Sequence, residues 1–560
     1  MKRRAFLAAS GAAIAACSAP LFGTASRTPS ARVAALLASL TPEQKVGQLM
    51  SIAFHGKKIT PAVESMIRQR AVGGLVLRTE NAEDASSMAR LVGDLQSIAH
   101  DAKVPPLLLS IDQEGGPVVR IGKGMTILPG EMALAATPDP QGAVRTAALI
   151  TRAELASLGI RWNLAPVADV NDEPRNPIIG NRSFGSDPKQ VAALVTQAVS
   201  AYSDGILICA KHFPGHGATT TDSHTGLPEI TSDRARLDAV ELVPFRAAIA
   251  AGVPAIMSAH IVVPALDPTP GLPVTLSKKV MTDLLRGELG FDGLIVSDDL
   301  EMGALASVGE ARAGLMAFEA GVDHLLFRFD EGAQVEGHRL IVEAMRGARI
   351  SASRLDASVA RILAAKVQQG LFDPQPATAV DLEQNGRTAM ELTRQGMTLL
   401  RNDGVLPLRG RVLALATATA DIAAVPGDSD LATELAAVRP NTTARKFTQL
   451  TDAFIAQATS DARAHDAVVI GVADLGANDA AVRLVNAVAA IRPTVLVSLR
   501  APYDALYVAG VAAIVCAYGG RVPTLRATAE ILTGARKPVG RLPVEIPGRF
   551  PLGAGMQDFS

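Results

Sequence analysis

Eight times between residues 49 and 327 the chain alternates a short apolar run with a longer stretch patterned as an amphipathic helix. The runs at 49–54, 74–77, 107–111, 162–166, 206–210, 255–258, 294–296 and 324–327 are mostly aliphatic and too short for helices, so they read as strands. Stretches such as 141–158, 188–203 and 241–251 carry the helical period. Thr41-Pro42-Glu43 opens a helix, with Thr41 as N-cap and Pro42 in the first turn. A strand regularly followed by a helix returns to lie parallel to its predecessor. Eight such units in about 320 residues predict an N-terminal (β/α)8 TIM-type barrel with insertions rather than an open sheet. Composition agrees, since 48% hydrophobic with only 4% aromatic residues suits helix-on-sheet layers better than a β-sandwich.

At 560 residues the chain exceeds one ordinary core. After a last barrel helix at 353–368 and a linker at 370–379 containing Pro374 and Pro376, a second alternation begins. Strand-like runs at 412–416, 467–471, 494–499 and 512–518, with helical patterns at 479–491 and 522–533, predict a smaller α/β sandwich domain with a mainly parallel sheet. The expected division is an export signal and linker over 1–30, a catalytic barrel over 31–370, a linker over 371–385 and the second domain over 386–560.

Lys2, Arg3 and Arg4 precede the short apolar stretch 5–16, and Arg3-Arg4-Ala5-Phe6-Leu7 is similar to a twin-arginine export signal. Ile14-Ala15-Ala16-Cys17 resembles a bacterial lipobox, so lipidation of Cys17 is expected, with ordinary secretion as the alternative. The protein is therefore expected outside the cytoplasm, in the periplasm or anchored to a membrane facing the periplasm or cell exterior. Cys209 and Cys516 lie in distant apolar runs and are expected as inert core thiols. With 54 basic against 55 acidic residues, no broad field favours nucleic acid, and no Gly-rich phosphate loop follows a strand.

The polar residues are placed less evenly than the apolar ones. Strand three runs into Asp112-Gln113-Glu114-Gly115-Gly116, strand four into Ala168-Asp169, and strand five into Lys211-His212. Strand six runs into His260 and strand seven into Ser297-Asp298-Asp299. A barrel gathers these C-terminal ends around one pocket. An acid there can instead cap the next helix, which is the reading for Asp299.

The densest stretch is Lys211-His212-Phe213-Pro214-Gly215-His216-Gly217 followed by Asp222-Ser223-His224, expected on a loop beyond strand five. His212 and His216 stand four apart, but Pro214, Gly215 and Gly217 break the helix that would align them, and Lys211 would repel a divalent cation. No metal site is expected. Asp222 and His224, two apart, share one side of an extended backbone. The carboxylate can fix the imidazole's tautomer and raise its basicity while the other nitrogen faces substrate, or it can bond only its own backbone.

Four segments occur in order: Asp112-Gln113-Glu114-Gly115-Gly116, then Asn176-Pro177-Ile178-Ile179-Gly180-Asn181-Arg182-Ser183-Phe184, the histidine stretch, and Val296-Ser297-Asp298-Asp299-Leu300-Glu301-Met302. Together they resemble glycoside hydrolase family 3. The histidine stretch with its trailing Asp-Ser-His narrows the resemblance to the β-N-acetylglucosaminidase branch, which acts on peptidoglycan fragments. Leu399-Leu400-Arg401-Asn402 and Pro538-Val539-Gly540-Arg541-Leu542-Pro543 extend it to the second domain.

The resemblance implies a retaining exo-β-N-acetylglucosaminidase with Asp298 as nucleophile, His224 as acid/base and Asp222 as its dyad partner. It implies that Asp112, Arg182, Lys211 and His212 grip the terminal sugar, that Arg120 and Asp169 also line the pocket, and that His216 shapes the loop by a hydrogen bond. A carbohydrate substrate, no cofactor, no nucleic-acid partner and a monomer are expected. Two positions depart from the family pattern. Pro117 stands where an arginine is frequent and Ala218 where an aspartate is, which bears on the aglycone side and on loop anchoring. The alternatives are a phosphorylase, in which phosphate replaces water, a β-glucosidase or β-xylosidase, and a non-catalytic carbohydrate-binding lipoprotein.

Overall fold

Eight parallel strands close into a barrel in chain order. They are β1 (Met50–Ile52), β2 (Gly74–Leu77), β3 (Leu108–Ile111), β4 (Trp162–Asn163), β5 (Leu207–Phe213), β6 (Ala255–Ser258), β7 (Leu294–Asp299) and β8 (His324–Phe327). β1 pairs with both β2 and β8, which removes every edge. The computed structural model describes residues 30–560 except 204, 375–377, 418–428 and 448. The expected export signal and linker over 1–30, apart from Ser30, lies outside the described residues, and so does Cys17.

The strands are buried along their whole length except for the last two residues of β7, Asp298 and Asp299. Burial on both faces is why they read as unbroken apolar runs. Helix starts follow from capping chemistry. Asp139 and Asp187 each accept from a backbone N–H three residues on, with Pro140 and Pro188 in the first turn, and Thr41 forms a capping box with Gln44.

Two strands outrun their apolar segments. β5 continues through Lys211 and His212, so these two belong to the strand end and not to the loop beyond it. β7 continues through Asp298 and Asp299. Both are bulged there: Ala210 to Phe213 spans only Ile256 to Ser258 on β6, and Val296 to Asp299 spans only His324 to Leu326 on β8. One extra residue bends a strand and re-aims its side chains. β4 is conversely only two residues long, and Asp169 follows it on irregular backbone.

The second domain is a six-stranded sheet in the order β11-β10-β12-β13-β14-β9. Its strands are β9 (Thr398–Asn402), β10 (Val412–Thr417), β11 (Thr442–Phe447), β12 (Ala467–Val472), β13 (Thr494–Ser498) and β14 (Ala513–Cys516). All neighbours are parallel except β9, which runs antiparallel to β14. β9 and β11 are the sheet's two edges and were not among the expected strands. The helix Ala352–Gln368 ends the barrel, and the helix Leu382–Gly396 leads into β9. Cys209 and Cys516 are buried free thiols. Among the described residues no helix is long and apolar enough to cross a membrane.

The two domains share core. Met132, Ala133 and Ala136, on the insertion between β3 and β4, pack into the second domain's apolar cluster. Tyr503 donates its hydroxyl to the Asn171 carbonyl at 2.8 Å, and Asn181 donates its amide to the Tyr518 carbonyl at 2.8 Å. Arg521 reaches the carbonyls of Gly116 and Pro117, each at 3.3 Å. All of these contacts land on the segments linking β3 to β5. Tyr503→Phe, which leaves the buried Asn171 carbonyl short of a donor, is expected to destabilise the protein by about 1–3 kcal/mol. A lower denaturation midpoint at unchanged denaturant slope would show this. An unaltered midpoint would mean that the contact does not hold the interface.

Candidate active site

A chain of paired charges lies at the C-terminal mouth of the barrel. Asp112, the residue after β3, takes Lys211 Nζ at 2.9 Å and faces Arg120 at 3.4 Å. Two residues on, Glu114 takes the same Nζ at 2.5 Å and a two-pronged contact from Arg182, with both bonds at 2.9 Å. The side chains of Lys211 and Glu114 are only 2% and 3% exposed, so these charges depend on one another for solvation. Burial opposes ionisation of both acids. Lys211 with Arg120 nevertheless holds Asp112 far below the usual carboxylate range, and Arg182 with Lys211 holds Glu114 down to about 2. The acids in return hold Lys211 and Arg182 protonated against their own burial.

Sequence reasoning missed Glu114 as a site residue. Its signal was present, an acid two residues beyond Asp112 inside the quoted segment. Arg182 thus joins the site through Glu114, with its Nη2 3.4 Å from His212 Nε2.

Asp169 is fully buried behind His212 and does not line the pocket, which corrects the expectation. Its Oδ2 accepts from His212 Nδ1 at 2.7 Å, and its Oδ1 accepts the backbone N–H of His212 at 3.2 Å and of His216 at 2.7 Å. It therefore sets the ring's tautomer and anchors the loop after β5. His216 contacts Thr219 at 2.8 Å and Ser223 at 3.0 Å through its two ring nitrogens, and burial pushes it down to about 4. Its hydrogen bonds shape the loop, as expected.

That loop carries Asp222 and His224. Asp222 Oδ1 meets His224 Nδ1 at 2.9 Å and also accepts the His224 backbone N–H at 2.8 Å. The carboxylate therefore orients the ring as well as turning the backbone. The Nε2 of His224 has no partner among the described residues, and its side chain is 47% exposed. The loop is fastened to the segment after β7, where Gly303 N–H donates to the His224 carbonyl at 3.2 Å and Ala304 N–H to that of Ser223 at 3.1 Å. A Cβ at position 303 would stand 2.5 Å from the His224 carbonyl, so only glycine permits this approach.

Asp298 closes the arrangement. Burial works against its charge, but His212, His260, the Asp299 N–H and His224 all favour it, and the carboxyl lies below its ordinary range. His260, whose charge burial disfavours and Asp298 favours, donates from Nε2 to the Asp299 carbonyl at 3.0 Å and so fixes the strand end. Asp299 does not cap the next helix, whose N-cap is Gly309. It lines the cavity, where burial pushes it up to about 6 despite Arg328 at 3.2 Å.

Asp112 and Asp298 line one cavity. Arg78 and Arg328, which follow β2 and β8, line it too and were also missed. Their signal was the same strand-end position that marked the other five strands. Pro117 presents its carbonyl to Arg521 at the domain interface, and Ala218 packs partly buried against the barrel core.

Behind the network lies Glu131, buried and carrying Oε2 without a partner among the described residues. Its Oε1 accepts Val167 N–H at 3.1 Å. Burial and then the Glu114 charge raise it well above the usual range, which favours the neutral acid.

Comparison with known proteins agrees with this fold. Residues 41–365 match the glycosyl hydrolase family 3 N-terminal domain and residues 397–551 its C-terminal domain. β-Hexosaminidase A of Pseudoalteromonas piscicida is 35% identical over 424 residues, covering 68% of this chain and 70% of that protein. A β-N-acetylglucosaminidase/β-glucosidase of Cellulomonas fimi is 36% identical over 389 residues, 66% of this chain and 67% of that protein. The structure of a family 3 β-N-acetylglucosaminidase from Paenibacillus sp. str. FPU-7 superposes with TM-score 0.86 at 34% identity, covering 91% of this chain and 99% of that one.

A buried acid held protonated in the fold contributes fully below the unfolded-state pKa and loses stability as pH rises toward the folded one. Glu131→Gln keeps the acceptor for Val167 and removes that loss. It is expected to match the parent near pH 4 and to exceed it increasingly at higher pH, by up to about 1.4 kcal/mol per unit. Denaturation curves from pH 4 to 8 would test this, and a constant offset between the two proteins would refute a neutral Glu131.

Proposed function

The chain belongs to glycosyl hydrolase family 3, and on that premise we propose that it is a retaining exo-β-N-acetylglucosaminidase acting on terminal residues of peptidoglycan fragments. The observation that carries this reading is one cavity lined by Asp112 and Asp298, with the Asp222–His224 pair docked on the segment that follows Asp298. The names of its relatives supply the N-acetylglucosamine specificity.

In the first step an Asp298 oxygen attacks the anomeric carbon while the bond to the leaving oxygen breaks, and His224 Nε2 passes its proton to that oxygen. Asp222, on the other ring nitrogen, holds the ring in place through both steps. In the second step the now neutral His224 takes a proton from water, the water oxygen attacks the anomeric carbon, and Asp298 leaves. Two inversions retain the β configuration. Asp112, Lys211 and His212 supply charged donors and acceptors for sugar hydroxyls at the cavity, with Glu114 and Arg182 keeping them in register. A small pocket walled by the barrel suits a chain end, hence exo action. The basic and apolar residues 2–16 support an exported enzyme.

Aryl β-N-acetylglucosaminides with good and poor leaving groups test this reading. Asp298→Asn should lose on the order of 10³-fold or more in kcat with either. His224→Ala should lose about 10²–10⁴-fold with the poor leaving group and less with the good one in the first step. The first-formed sugar should be the β-anomer. An His224→Ala variant at full rate on the poor leaving group, or an α-anomer product, would refute the dyad or the double displacement respectively. Because one relative's name includes β-glucosidase activity, aryl β-glucosides belong in the same assay.

A further inference from the structure

Two guanidinium groups, those of Arg78 and Arg328, line the cavity that holds Asp298, with Arg120 beside its wall residue Asp112, and the carboxylates present do not fill all of their donors. Arg78 finds its nearest acid, Asp112, 3.8 Å away, and that acid is already engaged by Lys211 at 2.9 Å and Arg120 at 3.4 Å. Asp299 stands 3.2 Å from Arg328 Nε, yet that Nε and the Nε of Arg120 are both buried without a hydrogen-bond partner among the described residues. Burial and the neighbouring Arg120 charge both work against the charge on Arg78. The guanidinium carbons of Arg78 and Arg328 lie 6.0 and 5.0 Å from the ring centre of Phe329, against which His55 stacks at 3.9 Å. An aromatic platform thus gathers two cations at the cavity wall between β2 and β8.

Buried like charges with unfilled donors are unfavourable unless a ligand completes them. A guanidinium fork matches a planar carboxylate oxygen for oxygen. A phosphate dianion would meet Asp298, Asp299 and Asp112 at twice the charge, so a monoanion fits the balance better. We propose that Arg78 and Arg328 form a carboxylate-binding subsite beside Asp298, so that the substrate carries a carboxylate within its reach. This rests on the glycosidase reading of the site and specifies its substrate class. The carboxylate could belong to the terminal sugar, as in a uronic acid, or to the leaving sugar, as in an ether-linked lactate.

Two matched pairs separate those sources. Aryl β-D-glucuronide against aryl β-D-glucoside reports on the terminal sugar. N-acetylglucosaminyl-β-1,4-N-acetylmuramic acid against di-N-acetylchitobiose reports on the leaving sugar. In one pair the parent should favour the charged member by about ten-fold or more in kcat/KM. That ratio should fall toward one in R78Q and in R328Q. As a ratio within one protein, it is insensitive to how much of a variant folds. Absence of a charge preference in both pairs, or its survival in both variants, would overturn the subsite. Should the parent cleave none of the four compounds, the glycosidase reading fails separately. Calorimetric titration of the parent with glucuronate against glucose, and with N-acetylmuramic acid against N-acetylglucosamine, then decides the subsite. Tighter charged-sugar binding that R78Q abolishes supports it, and equal binding overturns it.

Discussion

One ammonium group held between two carboxylates organises the mouth of this barrel. Lys211 touches Asp112 at 2.9 Å and Glu114 at 2.5 Å, and Glu114 passes the pairing on to Arg182. A single buried charge of this kind would be expelled or neutralised, so the four groups can exist ionised only together. Their assembly joins the end of β3, the end of β5 and the long insertion after β4. It leaves charged donors and acceptors fixed in place before any ligand arrives. A polyhydroxylated sugar needs such groups at set positions, and a site that already holds them does not reorganise on binding.

The same requirement explains why a second domain belongs to this barrel. The stretches 112–130 and 164–187, which carry Glu114, Asp169 and Arg182, contain no helix beyond the single turn Gly180–Arg182. The second domain meets them next to those residues. Tyr518 takes the amide of Asn181, the neighbour of Arg182, and Arg521 takes the carbonyl of Gly116, two residues beyond Glu114. Met132, Ala133 and Ala136 pin the intervening helix by burial in the second domain's core. The second domain therefore acts on the site through the backbone that aims its side chains. Loss of one such contact would loosen the ion network before it unfolded the barrel.

The barrel was legible because strands covered on both faces leave no freedom to the side chains at either face, and eight apolar runs record that. The strand ends were legible for the reason that parallel strands point one way. What escaped depends on side-chain direction or on edges. β11 reads Thr-Thr-Ala-Arg-Lys-Phe because an edge strand half open to water needs no apolar run. Asp169 was placed in the pocket wall, but beyond the end of a two-residue strand no period dictates where a side chain points, and it turned inward to His212. The bulges in β5 and β7 leave no compositional trace, since an extra residue looks like any other until its partner strand is known. Glu114 was hidden by the nearness of Asp112. Arg78 and Arg328 were hidden because a single arginine after an apolar run serves equally well at a solvent-facing strand end.

The proposal of Asp298 and not its neighbour as the attacking carboxylate rests on those same bulges. The two acids are adjacent in sequence and share one cavity, yet their surroundings push them apart. Asp298 faces His212, His260 and His224, and its Oδ1 accepts the Asp299 N–H at 2.8 Å, so it stays ionised below its ordinary range. Asp299 has Arg328 beside it but is governed by burial, which carries it up to about 6. An anionic nucleophile near neutral pH must be the acid whose partners outweigh its desolvation. The histidines that do this stand at the ends of β5 and β6 and on the loop between them. The extra residue in β7 re-aims the strand where Asp298 sits, just before β7 rejoins β8 through Asp299. A regular strand would send alternate residues to opposite faces and could not bring both acids to one cavity.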